Sequence, residues 1–380
     1  MLADLIVDKL MRRVGAFVVI CAFLLACNTE KEKQQPVAAE KTAAPEEIET
    51  YGMGKAWLSE YGFFEGKLAD LQPADNVVAY ELNTPLFSDY AHKKRFIYFP
   101  EGAPANYQER EVLDFPVGTV LIKNFYYPND FRDASAGKKI LETRLLVHEE
   151  KGWQPLSYIW NEEQTDAYFE IIGATIPVQW THDDGAIKQT NYIVPNLNQC
   201  KSCHVKDKTL MPIGPTARQL NRKNMYVSEE VNQLEFLAAN GLLSGLPEAK
   251  ERPAFPLWDN PNSGTLDERA IAYLDINCGP CHNPLGPAKT SGLNLTVFET
   301  DPFKLGFMKP PVAAGKASGN LLHDIVPGKP EASILLHRMN STNPEVMMPE
   351  LGRTLIHEEG VALIRKWIEQ LNSSETVISP

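Results

Sequence analysis

Two short stretches constrain this chain more than anything else in it: Cys200-Lys-Ser-Cys203-His204 and Cys278-Gly-Pro-Cys281-His282. They share one spacing, C-x-x-C-H. The chain has six cysteines. Two of them, Cys21 and Cys27, lie in an N-terminal apolar stretch, so every other cysteine belongs to one of these pairs. With six cysteines and eight histidines in 380 residues, one such match is expected roughly 0.002 times by chance.

Four chemistries use paired cysteines at this spacing: a redox dithiol, a zinc clip, a disulfide and a haem attachment site. A thioredoxin-type dithiol follows a β-strand and opens a helix. Here a helical pattern precedes Cys278, and Pro284 and Pro287 oppose a helix after it. Zinc ribbons place their pairs about 15–20 residues apart, whereas 74 residues separate Cys203 from Cys278. A disulfide gives no reason for a histidine after each pair. Haem attachment does: two thiols on one turn add across the vinyl groups, and the adjacent histidine meets the iron as proximal ligand. The expectation is two haem c groups, on Cys200 and Cys203 with His204, and on Cys278 and Cys281 with His282.

The N-terminus reads as an export signal. Arg12 and Arg13 precede an apolar run from Val14 to Ala26, too short to span a bilayer as a helix. Asp4 and Asp8 are unusual there, and Met11 is an alternative start. The run ends in "LLAC", residues 24–27, which resembles a bacterial lipobox with Cys27 as the lipidated residue. Lipidation tethers a protein to a membrane without a spanning helix. With Asn28 after that cysteine, the expected location is the periplasmic side of the outer membrane. Residues 28–50 are rich in Glu, Lys, Gln, Ala and Pro and make a solvated tether. The formal net charge of −12 argues against nucleic acid as a partner.

The organisation expected from pattern is multidomain. Residues 51–195 carry short runs rich in β-branched and aromatic residues, such as "TVLIKNFYY" (119–127), "ILETRLLVH" (140–148) and "WQPLSYIW" (153–160). Asp184-Gly185 and the turn before Gly152 are hairpin signals. These predict an all-β domain, an antiparallel sandwich or barrel. Two α-helical cytochrome c-type haem regions are expected after it, 196–255 and 256–380. In the first, "SEEVNQLEFLAANGLL" predicts a helix capped by Ser228. In the second, Thr265 to Glu268 forms a capping box, and residues 357–371 close the domain as an amphipathic helix.

Distal iron ligands follow from methionines. Met348, next to Pro349 and ahead of the closing helix, is the expected ligand opposite His282, with Met347 beside it. For the first haem, Met211 precedes Pro212 only seven residues after His204, a segment that spans at most about 25 Å when extended. Met225 and His182 are the alternatives. His92, His148, His323, His337 and His357 read as surface residues, with His337 or His357 near a haem edge as the alternative.

Three segments, "NTPLFSDYAHKKRFIYFPEG" (83–102), "CKSCH" with "PIGPTARQLNR" (212–222), and "YLDINCGPCHNPLGPAKTSGL" (273–293), resemble a family of diheme c-type cytochrome lipoproteins of Gram-negative bacteria. The resemblance implies thioether links at the four cysteines and proximal ligation by His204 and His282. It also implies a redox partner, such as a parallel β-helix protein encoded nearby. It names no catalytic residue. The expected function is membrane-tethered periplasmic electron transfer through two covalent haems. A haem enzyme of peroxidase or dehydrogenase type, using an open first iron, is the alternative. A third reading gives the β-rich part a ligand to capture.

Overall fold

The alternation of apolar and polar residues between Val77 and Glu170 builds one open antiparallel sheet of six strands. These are β1 (Val77–Tyr80), β2 (His92–Tyr98), β3 (Val120–Pro128), β4 (Lys138–Glu149), β5 (Gly152–Trp160) and β6 (Ala167–Glu170), neighbours in that order. The computed structural model describes residues 54–312 and 315–371. The export signal, Cys27 and the 28–50 tether lie outside the described residues.

Successive strand residues point to opposite faces, and here both faces are covered. On one face Phe96, Ile122, Leu145, Leu156 and Tyr158 pack with Leu58, Phe63 and Leu71 from the segment before β1. The other face is covered in two patches. Toward one end, Ile97, Leu121 and Leu146 meet Leu220, Leu234 and Leu237. Toward the other, Phe125 and Ile159 meet Trp180, Tyr192 and Val194. The last three belong to a separate hairpin, β7 (Ala174–Thr181) and β8 (Ile187–Val194), turned at Asp184-Gly185 as the sequence predicts. Gly185 sits there at a φ of 81°, a left-handed conformation that glycine adopts freely.

The expected fold class needs correction. The sheet is open and carries a hairpin over part of one face, so it is not a closed barrel. Nor are there two α-helical cytochrome regions: the chain is largely β-sheet, with six α-helices among the described residues. Residues 196–255 hold three short helices, α1 (Leu197–His204), α2 (Ala217–Leu220) and α3 (Gln233–Ala239), interrupted by two-stranded ribbons. One ribbon, Lys223–Tyr226 with Glu229–Asn232, takes the first turn of the helix expected from Ser228. Asn232 is the true cap, its side chain accepting from the N–H groups of Leu234 and Glu235. These helices are too short to make a core of their own, so they bury Leu220, Leu234 and Leu237 against the sheet.

The C-terminal part holds the two longest helices, α4 (Leu266–Asn277) and α6 (Glu358–Gln370), with the short α5 (Ile334–Met339) between them. The capping box of α4 is present: Thr265 and Glu268 each bond the other's backbone N–H. Leu274, Leu336, Ile364, Trp367 and Ile368 form their shared core. The described residues cluster as one compact unit.

Asp89 ties that C-terminal part to the sheet. Its carboxylate accepts from the N–H of Thr354 at 2.7 Å, the Thr354 hydroxyl at 2.8 Å and the N–H of Leu355 at 2.8 Å. The Tyr127 hydroxyl donates to its carbonyl. The residue is 3% exposed, so losing the carboxylate strands buried donors. Asp89→Ala is expected to lower the unfolding free energy by about 3 kcal/mol, measured by urea denaturation.

Candidate functional site

The first C-x-x-C-H motif sits on α1. Asn196 caps this helix by accepting from the N–H of Gln199, whose side chain returns a bond to the cap's own N–H. Cys200, Cys203 and His204 thus fall on the last turns of one rigid element, which packs over β5. The second motif follows α4 directly. Cys278 is the C-cap, and its carbonyl accepts from the N–H groups of Cys281 and His282 at 3.1 and 2.9 Å. Gly279 is more than a spacer in that turn: a Cβ there would lie 2.4 Å from the Asp275 carbonyl oxygen.

The four cysteines, 74 residues apart as pairs, line one cavity of about 500 Å³. That volume lies in the range of cofactor pockets, about 300–1,000 Å³. The two motifs approach closely enough for the Cys203 thiol to disfavour ionisation of Cys281.

The two histidines share one arrangement. The Nδ1–H of His204 donates to the Met211 carbonyl at 2.9 Å. At His282, the Ser291 hydroxyl donates to the Ala288 carbonyl at 2.8 Å and so accepts from Nδ1–H at 3.0 Å. Each bond fixes the proton on Nδ1 and leaves the Nε2 lone pair for a metal. Burial, the larger cause, holds both imidazoles at about 4, with neighbouring cations acting the same way. They are neutral at pH 7, as ligation requires. His204 lines the cavity; His282 stands on its flank, outside the lining.

The thiols are not those of a redox dithiol. Nucleophilic cysteines have lowered pKa values, but burial pushes all four up, Cys278 to about 12 and Cys281 to about 11. All four are unpaired. Among the described residues, no three His, Cys, Asp or Glu side chains converge on a position that could hold a bare metal ion.

The methionines separate. Met347 and Met348 both line the cavity. The backbone of Met348 is held at both ends, its N–H donating to the Arg338 carbonyl at 3.0 Å and its carbonyl accepting from Arg353 at 2.8 Å. Met211 lies outside the lining. Its carbonyl meets Nδ1 of His204, the side of the ring away from Nε2, and its side chain packs with the Leu220 and Leu234 cluster. Met225 is 61% exposed, and His182 meets Tyr90 edge-on and Phe131 at a tilt, outside the cavity lining.

His357 reads from sequence as a surface residue, with a place near a haem edge as the alternative; the structure encloses it. It lines the cavity, stacks on Phe87 at 4.2 Å and shares a 2.9 Å bond with the Tyr273 hydroxyl. A second feature also escaped the sequence pattern. Arg95, Lys123, Arg144 and Ser157, on β2 to β5, are paired partners in register across four strands. All four face the cavity.

No family model, no curated protein and no solved structure matches this chain. The family resemblance drawn from the sequence is therefore corrected. Beyond the lack of a matching family, the structure is mostly β-strand with few helices and holds, among its described residues, no ready-made metal-binding cluster.

His357 contributes to the pH dependence of stability. Burial, then the charges of Lys93 and Arg353, lower its pKa to about 3, against about 6.5 unfolded. Between those values the folded state binds fewer protons than the unfolded one, so stability falls as pH falls. The slope from this one group approaches about 1.4 kcal/mol per pH unit. His357→Phe, which keeps the stacking on Phe87, is expected to flatten the dependence between pH 6 and 4 relative to the parent, in denaturation series across that range.

Proposed function

We propose that this chain carries haem covalently at both C-x-x-C-H motifs and works as an electron-transfer protein. The observation that carries the reading is the coincidence of three things at each motif: two neutral thiols one turn apart, an adjacent imidazole, and an Nδ1–H already bonded. The opening of both thiol pairs onto one cofactor-sized cavity supports the reading further.

In this proposal Cys200 and Cys203 hold one haem and Cys278 and Cys281 the other, with His204 and His282 as proximal ligands. Haem supplies a reversible one-electron change at its iron. The chain's own residues do the rest. The carbonyl of Met211 and the hydroxyl of Ser291 orient the two imidazoles and raise their basicity. Arg353 and the Arg338 carbonyl fix the backbone of Met348, the candidate distal ligand for the second haem. A thioether there favours the reduced iron and raises the potential. Met211 is left with a proximal role through its carbonyl. The apolar walls limit water, which also tunes potential.

We extend the proposal to location and partner. The N-terminal signal and Cys27 support a membrane-tethered protein on the periplasmic side, exchanging electrons with a redox partner protein. Purified full-length chain, expressed with haem-maturation factors, is expected to show two haems in a pyridine haemochrome assay. The paired variants C200A/C203A and C278A/C281A should each show one; a parent chain with none overturns the proposal. Met348→Ala should keep both haems, lose the methionine–iron charge-transfer band and lower one midpoint potential.

A further inference from the structure

The row Arg95, Lys123 and Arg144 breaks a rule of sheet construction. Like charges directly opposite one another across paired strands are unfavourable, yet here three cations stand side by side on adjacent strands. They interrupt an apolar face, with Ile97, Leu121 and Leu146 on one side and Phe125 and Ile159 on the other. Two of the three have carboxylate partners. Arg95 meets Glu81 at 3.3 Å, and Arg144 makes a two-pronged pair with Glu142 at 2.7 and 2.8 Å. Lys123, between them, has no ion pair among the described residues; its ammonium lies 4.7 Å from the Phe125 ring. All three line the cavity beside α1, next to Cys200, Cys203 and His204.

We propose that this row is a carboxylate-binding site centred on Lys123, built by the β-sheet into the wall of the cavity. Its ligand is a carboxylate carried into the cavity, either the propionate side chains of the haem held by Cys200 and Cys203 or a free dicarboxylate. The first source rests on the haem reading above; the second does not. Burial and the two flanking cations lower the Lys123 pKa well below its ordinary value in the chain alone, and an anion at the row supplies the missing counter-charge. A half-buried cation without a partner has little to offset its lost hydration.

The test uses the haem-loaded full-length protein, parent against Lys123→Gln and Lys123→Arg. The glutamine variant removes an unpaired charge and should fold. If haem propionates are bound, K123Q keeps two haems, shifts the propionate-bending bands of one haem in resonance Raman spectra, and lowers one midpoint potential. K123R then restores both readouts. If a free dicarboxylate is bound, added succinate raises the melting temperature of the parent and not of K123Q, with Raman bands unchanged. Unchanged bands together with no Lys123-dependent succinate effect overturn the site. A parent chain without haem overturns the haem reading separately and leaves the succinate comparison to decide the row.

Discussion

Neither face of the six-stranded sheet can be left to water, and most of the remaining architecture follows from that. Phe96, Ile122 and Tyr158 on one face are 0% exposed, as are Ile97 and Phe125 on the other. Burying a side chain of that kind stabilises by about 1.5–3 kcal/mol. One face is covered locally, by the segment just before β1. The other recruits chain from far away: the hairpin β7–β8, the short helices after it, and the C-terminal helices through Asp89. The cover is complete at both ends of this face and open across its middle, where the side chains are Arg95, Lys123, Arg144 and Ser157.

That gap is the cavity. It explains how two motifs 74 residues apart come to share one site. α1 leaves β8 through Pro195 and Asn196 and lies over β5, while α4 is held by its own core and by the bond from the Phe87 N–H to the Asn277 side chain at 2.9 Å. Both elements therefore end at the same opening. Cys200, Cys203 and His204 sit on a helix, which suits a cofactor site, while Cys278, Cys281 and His282 sit in the turn that closes α4. The cations that face the opening come from the sheet, as Arg95, Lys123 and Arg144, and from Arg353 in the loop before α6, with Asp89 and Glu350 as lining carboxylates.

Some of this was legible beforehand, and for definable reasons. β3, β4 and β5 follow the quoted runs because alternating branched and aromatic residues make the same demand wherever they occur. The capping box at Thr265 is local chemistry and needed no partner. Ser228 misled because a ribbon with Lys223–Tyr226 supplied an alternative to the helix's first turn. Met211 misled because the proline after it echoed Met348-Pro349, while its backbone was needed on the other side of His204. His357 looked like a surface residue because a lone histidine carries no sign of the Phe87 and Tyr273 that enclose it. The helical haem regions were inferred from two motifs and a few amphipathic runs. In the first region those runs are too short to fold alone and the sheet became their core, whereas α4, α5 and α6 share a core of their own.

By itself the sequence determined the local pieces: the two C-x-x-C-H spacings, the strand runs, the hairpin at Asp184-Gly185, the cap of α4 and the apolar face of α6. Each depends on residues within a few positions of one another. Only the tertiary structure decided that both motifs open on one cavity, that Nδ1 of each histidine is already bonded, and that Arg95, Lys123 and Arg144 stand in one row. The physical reason is register. Arg95 and Lys123 are 28 positions apart, and Lys123 and Arg144 are 21 apart. They become neighbours through the pairing of β2, β3 and β4, and no pattern along a single strand records that pairing.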